Sequence, residues 1–400
     1  MVVPLLAVDL GVSRFHNLPM NKVLLAAVLS LACIQSMHAQ TLKKLEWSGD
    51  LRYRLAKFHE DIDQDRSLQQ LRARLGLRAE VNDDTKAILR LATATSSVSQ
   101  DQTLGDSTDP GMARRGFGLD LAYVDWNFLQ FGQVWAGRTA NPYYRLGSSQ
   151  LIFSEDLAFE GMALRWNPHW SHSAAFANVS GSVISENYLA PDDLVDTGLL
   201  GWDLGYSHSG ESWTATLKVG TYYYLNIQDK AITATDKNAD VDPYSYPYDS
   251  FRGNSIYPND PLLPKAQRKY YFTNEYIIME IGAEWRQQLG PIEYRVFYDE
   301  VKNDKVRVLN KAKEYGVRVT GWKLWLEYAE SVKRRDAVVG TFTDSRMNGG
   351  GTDNSGSRVQ LGVNLKGSVS LALSHYRARR GIDTVSREYV LDQVDLNVAF

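Results

Sequence analysis

The last twelve residues, Tyr389 to Phe400, constrain the fold more than any other stretch. Read back from the end, every second residue is apolar: Phe400, Val398, Leu396 and Val394. Between them stand Ala399, Asn397, Asp395 and Gln393. Side chains alternate across a strand, so this period of two marks a strand with one apolar face and one wet face. The chain then stops on a phenylalanine. A domain in water has little use for such an edge. A sheet that closes on itself in lipid does, because the last strand pairs with the first and its apolar face turns outward.

The same period recurs throughout. Trp47, Gly49, Leu51, Tyr53 and Leu55 alternate with Ser48, Asp50, Arg52 and Arg54. Leu71, Ala73, Leu75, Leu77, Ala79 and Val81 alternate with Arg72, Arg74, Gly76, Arg78 and Glu80. Three arginines on one face cannot sit in lipid and are costly in a dry core, so that face needs a water-filled interior or open solvent. Extended along the chain, the pattern predicts sixteen strands, from Trp47–Leu55 and Leu71–Val81 to Ser368–Arg377 and Glu388–Phe400. The fold class is all-β, an antiparallel up-and-down membrane barrel, and an even strand number suits one with both ends in the periplasm.

Connection length alternates by parity. The longer stretches are 58–68, 98–115, 139–155, 181–198, 225–270, 302–314, 333–357 and 378–387. Those between them are short and carry turn residues, such as Asn82-Asp83-Asp84, Asn167-Pro168 and Gly290-Pro291. Long outer loops and tight periplasmic turns are what such a barrel needs. All ten tryptophans are expected near the short-turn ends or the start of the barrel, with tyrosines toward the long loops, as at Tyr143-Tyr144 and Tyr222-Tyr223-Tyr224. Two aromatic girdles would follow. No run in the body reaches the roughly 18 apolar residues of a spanning helix.

The front of the chain reads as targeting rather than fold. Met20-Asn21-Lys22 is a short basic start, Val23 to Ile34 an apolar stretch of secretory length, and Ala39 the last residue before a cut. Residues 1–39 are therefore expected to be a removed signal region with its true start at Met20, and 40–400 the barrel domain. Cys33, the one cysteine, lies inside that region, so the mature chain would have no disulfide, thiol catalysis or Cys-ligated metal. A net charge of −3 argues against a nucleic-acid partner.

Candidate site residues follow from the wet faces. Strands one to three present Arg52, Arg54, Arg72, Arg74, Arg78 and Arg90, and Arg138 on strand five is placed with them. The opposite half offers Glu280, Glu284, Glu293, Asp299 and Glu327. A basic wall facing acids would create a transverse field that orients polar solutes; the alternative is a set of solvated lumen charges with no part in selectivity. Asp61, Asp63 and Asp65 alternate as carboxylates of a Ca²⁺ loop do, but Arg66 stands in place of the turn glycine and Arg72 in place of the closing glutamate. A solvated acidic loop is the expectation, with no metal and no cofactor. For catalysis, Ser374 and His375 would point to opposite faces of one strand, and His59 with Asp61 is the strongest pair. No catalytic residue is expected. The stretch 225–270, rich in Pro, Tyr, Asp and Asn, is open to three readings: a cap over the pore, a contact between protomers, or an exposed binding surface.

The ending resembles the C-terminal mark by which Gram-negative outer-membrane proteins are recognised by the barrel-assembly machinery. The run Trp135-Ala136-Gly137-Arg138-Thr139-Ala140-Asn141-Pro142-Tyr143 resembles the strand and Gly-Arg opening before the third outer loop of many porins, and Asp156–Leu164 resembles the strand after it. The chain from Gln40 to Phe400 is thus similar to a Gram-negative outer-membrane porin, nearest to the putative-porin family. The resemblance implies a water-filled pore, often trimeric, narrowed by the inward-folded third loop, here 139–155. That loop lacks the run of acids often seen there. Passive diffusion of small hydrophilic solutes and ions is implied, with a substrate-specific channel for anions, sugars or small acids as the alternative and an outer-membrane enzyme or adhesin after that. Outer-membrane lipid and lipopolysaccharide would surround it.

Overall fold

The computed structural model describes residues 42–61, 65–93, 100–105, 116–186, 196–229, 252–258, 260–262 and 270–400. The expected signal region, 1–39, lies outside them. Sixteen long strands follow in order. The first eight are β1 (Lys44–Glu60), β2 (Arg66–Glu80), β3 (Thr85–Thr93), β4 (Phe117–Leu129), β5 (Gly132–Thr139), β6 (Phe159–Trp166), β7 (Ser173–Ser185) and β8 (Thr197–Ser209). The second eight are β9 (Trp213–Leu225), β10 (Tyr276–Leu289), β11 (Ile292–Asn303), β12 (Lys311–Gly321), β13 (Leu324–Lys333), β14 (Asn354–Asn364), β15 (Val369–Arg380) and β16 (Arg387–Ala399). Each pairs antiparallel with its sequence neighbours, and β1 pairs with β16, so the sheet is a closed barrel without a free edge. A two-residue strand, Gln102–Thr103, adds to β2.

Closure follows the register that the alternation demands. Arg52 lies opposite Asn397 and Arg54 opposite Asp395. Gly49 and Phe400 exchange two backbone hydrogen bonds, of 2.8 and 3.0 Å, one residue beyond the strand's end. A side chain at Gly49 would meet the Phe400 ring at 2.5 Å and the Arg74 carbonyl at 2.8 Å, so the seam requires glycine there. On β16 the apolar Val394 and Leu396 are exposed on the outer surface while Gln393 and Asp395 are buried inside. A slip by one residue would exchange these faces, so the alternation fixes the parity of the register.

Connection lengths follow the expected parity except that 167–172, on the short side, is at least as long as the first and last outer connections, 61–65 and 381–386; the other differences are local. β12 begins at Lys311 rather than Tyr315, because Lys311 and Lys313 continue the outward row while Glu314 turns inward. Tyr270–Phe272 detaches from β10 and pairs with Ile256–Pro258. β6 begins at Phe159 rather than Asp156, since Glu155–Ala158 belong to the segment folded inside. The tryptophan expectation needs two corrections. Trp202 lies within β8, seven residues from its short-turn end. Trp135 and Trp325 face inward, where each is covered by an arginine, Arg165 at 4.1 Å and Arg318 at 4.2 Å. An inward arginine gains a cation–π partner from that placement.

The long-loop half of the barrel is filled. Residues 140–158 and 334–353 enter it and pack with Tyr222, Tyr276 and Val301 from the wall and with Phe272 of the separate hairpin. Leu151, Ile152, Phe153, Ala337, Val338 and Val339 are buried there. Each fully buried aliphatic of this kind contributes about 1.5–3 kcal/mol. Within the 225–270 stretch, residues 252–258 dock on the same plug: Asn254 Nδ2 donates to the Arg335 and Val338 carbonyls at 2.8 Å.

Candidate functional site

The acids of β10 to β13 hold the third loop in place. Gly147 N–H donates to Glu284 Oε2 at 2.5 Å, Ser148 Oγ to Glu327 at 2.6 Å, Ser149 Oγ to Asp299 at 2.5 Å and Gln150 N–H to Glu314 at 3.2 Å. Gly147 has φ +52°, and a side chain there would strike the Phe297 ring, so the loop's close approach to the wall depends on this glycine. Glu280 takes the Lys218 ammonium at 2.8 Å and the Tyr222 hydroxyl at 2.5 Å; the same Lys218 donates to the Tyr144 carbonyl at 2.6 Å. Four acids expected to face a lumen (Glu280, Glu284, Asp299, Glu327) are thus buried anchors. Charge-assisted bonds of this type are short and about twice as strong as neutral ones. Only Glu293 lies apart, part-exposed beside Arg295 at 3.4 Å.

The arginines are likewise paired. Arg52 binds Asp101 at 2.6 Å. Arg54 bridges Asp101 at 3.0 Å and Asp395 at 2.6 Å. Arg72 and Arg74 share Asp50, at 3.0 and 2.6 Å, and Arg72 also approaches Asp156 at 3.7 Å. Arg78 stands 3.5 Å from Glu46, and Arg90 pairs with Asp120. Arg52 and Arg54 are 5% and 3% exposed, so they form the base of the plug rather than a free wall. Arg138 corrects the expectation outright. Trp135 takes the inward register against Tyr123 and Arg165, so Arg138, three residues on, shares the outward face with Val134 and pairs with Glu160. Burial alone would raise the Asp101 carboxyl, but Arg52 and Arg54 beside it bring it down to about 2.

A basic feature lies where acids were expected. Arg286, Arg295 and Arg318 sit directly opposite one another on β10, β11 and β12, with side chains part-exposed toward the short-turn end. Like charges in register destabilise a sheet unless solvent or counter-charge compensates. Arg286 has Glu284, while Arg295 and Arg318 reach Glu293 and Glu327 only at 3.4 Å. Inward parity on three adjacent strands was the available signal for this row.

The other expected pairs separate. His59 Nδ1 meets Asp65 at 2.6 Å rather than Asp61, whose carboxylate accepts the Glu388 N–H at 2.8 Å. Asp63 lies outside the described residues, and among those residues no cluster of three His, Cys, Asp or Glu could hold a metal ion. Ser374 is buried inside, while His375 pairs with Asp392 at 2.7 Å on the outer surface.

A family model for a putative porin matches residues 43–256, more than half of the chain. Among solved structures, the chain is similar to OprB from Pseudomonas putida, with a TM-score of 0.58 and 9% identity over 89% of this chain and 94% of that one. It is also similar to OmpF from Salmonella typhi, solved in complex with daunomycin, with a TM-score of 0.51 and 11% identity over 89% and 98% of the two chains. At these identities the likeness speaks for the barrel fold. No curated protein matches the chain. Family and fold point to a channel rather than to an enzyme. The chain belongs to the putative porin family and is an outer-membrane channel of the Gram-negative type.

Proposed function

We propose that this channel passes small hydrophilic solutes and ions by diffusion and favours anions at its short-turn, periplasmic end. The observation that carries the preference is the row Arg286, Arg295 and Arg318, three part-exposed guanidiniums side by side. Selectivity in such a channel follows the charges along its path. Arg74, Arg78 and Arg90, also part-exposed, add to this field from the opposite side. Arg52, Arg54 and Arg72 act with Asp50, Asp101 and Asp395 to fix the plug's base. Glu293 tempers the row, while Glu280 and Glu284 serve the third loop. Reversal potentials in a KCl gradient test this. The protein should be anion-selective, and replacing all three row arginines by glutamine should move it toward cations. Cation selectivity in the parent, or an unmoved potential in the triple variant, refutes the preference.

The surroundings are proposed on similar grounds. Outward Tyr298, Tyr315 and Tyr328 stand below Glu300, Lys302 and Lys313 on β11 to β13, an order suited to acyl chains below and lipopolysaccharide headgroups above. The strand ending at Phe400 is offered to the barrel-assembly machinery, and a homotrimer is the assembly proposed. Residues 1–39 are proposed as the removed signal region.

A further inference from the structure

Two outer connections, not one, meet inside the barrel. Besides the third loop, residues 334–353 between β13 and β14 run through the interior, with Val338, Val339, Met347 and Asn348 fully buried. Asn348 Nδ2 fastens them to the wall at Ser331 Oγ, 2.7 Å away. Asp344 accepts the backbone N–H groups of Arg346 and Met347 at 2.8 and 2.9 Å, forming a tight turn that aims the Arg346 side chain across the barrel. The guanidinium reaches Asp344 and, on the end of the third loop, Glu155, both at 2.7 Å from Nη2.

This is the one direct ion pair between the two inserted segments among the described residues. Its halves differ in exposure: the Arg346 side chain is 14% exposed and that of Glu155 is 41%. Around them lie Arg52, Asp101 and Asp156, each within electrostatic reach of Arg346. The Arg346 charge pulls the part-exposed Glu155 carboxyl down to about 2, and Arg346 holds Asp344 well below the usual range although burial opposes this. Arg346 thus holds down both Glu155 and Asp344, whereas burial raises the carboxyl of Asp156 beside them.

We propose that Arg346 is a specificity-determining residue of the channel: it clasps residues 334–353 to the third loop at Glu155 and balances the carboxylates at the aperture between them. This rests on the reading of the chain as a diffusion channel. Without Arg346, Glu155 and Asp344 lose their shared cation, and the aperture becomes acidic and less tightly closed. Without Glu155, Arg346 retains Asp344, and the aperture loses its most exposed negative group.

The test is planar-bilayer recording of the full chain and its variants in a KCl gradient, with folding checked by heat-modifiable gel mobility. Arg346→Gln should raise the cation-to-anion permeability ratio about twofold or more and raise unit conductance. Arg346→Lys, which keeps the charge, should restore the parent ratio. Glu155→Gln should move the ratio toward anions, and the double variant should return it toward the parent value. If Arg346→Gln does not fold, Glu155→Gln, at a part-exposed site, reads the same pair from its other side. Folded variants with the parent's ratio and conductance overturn the role of Arg346 while leaving the diffusion reading intact. A folded parent and folded variants that are all silent overturn both.

Discussion

Arg54→Ala removes the centre of the barrel seam. Arg54 donates Nε and Nη2 to the two oxygens of Asp395 at 2.6 and 2.7 Å, and Nη1 to Asp101 at 3.0 Å, with 3% of its surface exposed. Truncating one partner of a buried ion pair costs about 3–5 kcal/mol, chiefly because the other charge is left without compensation. Two carboxylates are affected here, but Asp101 keeps Arg52 at 2.6 Å, so the penalty is about 4 kcal/mol rather than twice that. With a urea dependence of about 3 kcal/mol/M, the unfolding midpoint should fall by about 1.3 M. The assay is urea unfolding of the refolded barrel in detergent, followed by tryptophan fluorescence at pH 8. Acid supplies a control. The Asp101 carboxyl sits at about 2 in the folded barrel, below its ordinary value, so its contribution is present above that ordinary value and is lost as pH falls toward 2. The penalty of Arg54→Ala should therefore shrink between pH 4 and pH 2. A midpoint shift below about 0.3 M at pH 8 would mean that the pair is screened by water, and would refute its role as a buried seam contact.

Other perturbations probe the same architecture. Gly49→Leu should abolish the heat-modifiable folded band, because the new side chain must displace the Phe400 ring and meets the Arg74 carbonyl; a normal band would show that closure does not depend on this contact. Between pH 8 and pH 4 the charges of Glu155 and Asp101 should contribute no change in ion selectivity. Glu155 and Asp101 are both lowered to about 2, so they remain ionised there and lose charge only as pH falls toward 2, where selectivity should move further toward anions. A cationward shift in that window would contradict the assignment.

The barrel itself was legible because a period of two leaves one residue set for lipid and another for the interior. That Arg54 and Asp395 share the inner wall at the seam could be read from two strands alone; their register came from the structure. What could not be read lay in the connections. Asp101, Asp344 and Arg346 occupy segments with no periodicity; the family resemblance implied an inward fold for 139–155, but nothing announced that 334–353 joins it or that Asp101 meets Arg52 and Arg54. The acidic half misled for the same reason: Glu284, Asp299 and Glu327 point inward as expected, but the groups that they bind, the Gly147 N–H and the Ser149 and Ser148 hydroxyls, arrive from 140–158. Arg138 was misplaced by following the loop motif instead of the parity set by Trp135. The row Arg286, Arg295 and Arg318 was within reach of parity counting, and became visible as a row only once the register of three strands was known.

Single-channel recording of the refolded, unmodified chain in a planar lipid bilayer tests the central claim most directly. A protein that shows the heat-modifiable folded band should insert with discrete, reproducible conductance steps that scale with salt concentration and persist without any added ligand. A folded protein that inserts into the same bilayer and never raises the current above that of bare lipid would contradict the claim that this barrel is an open channel.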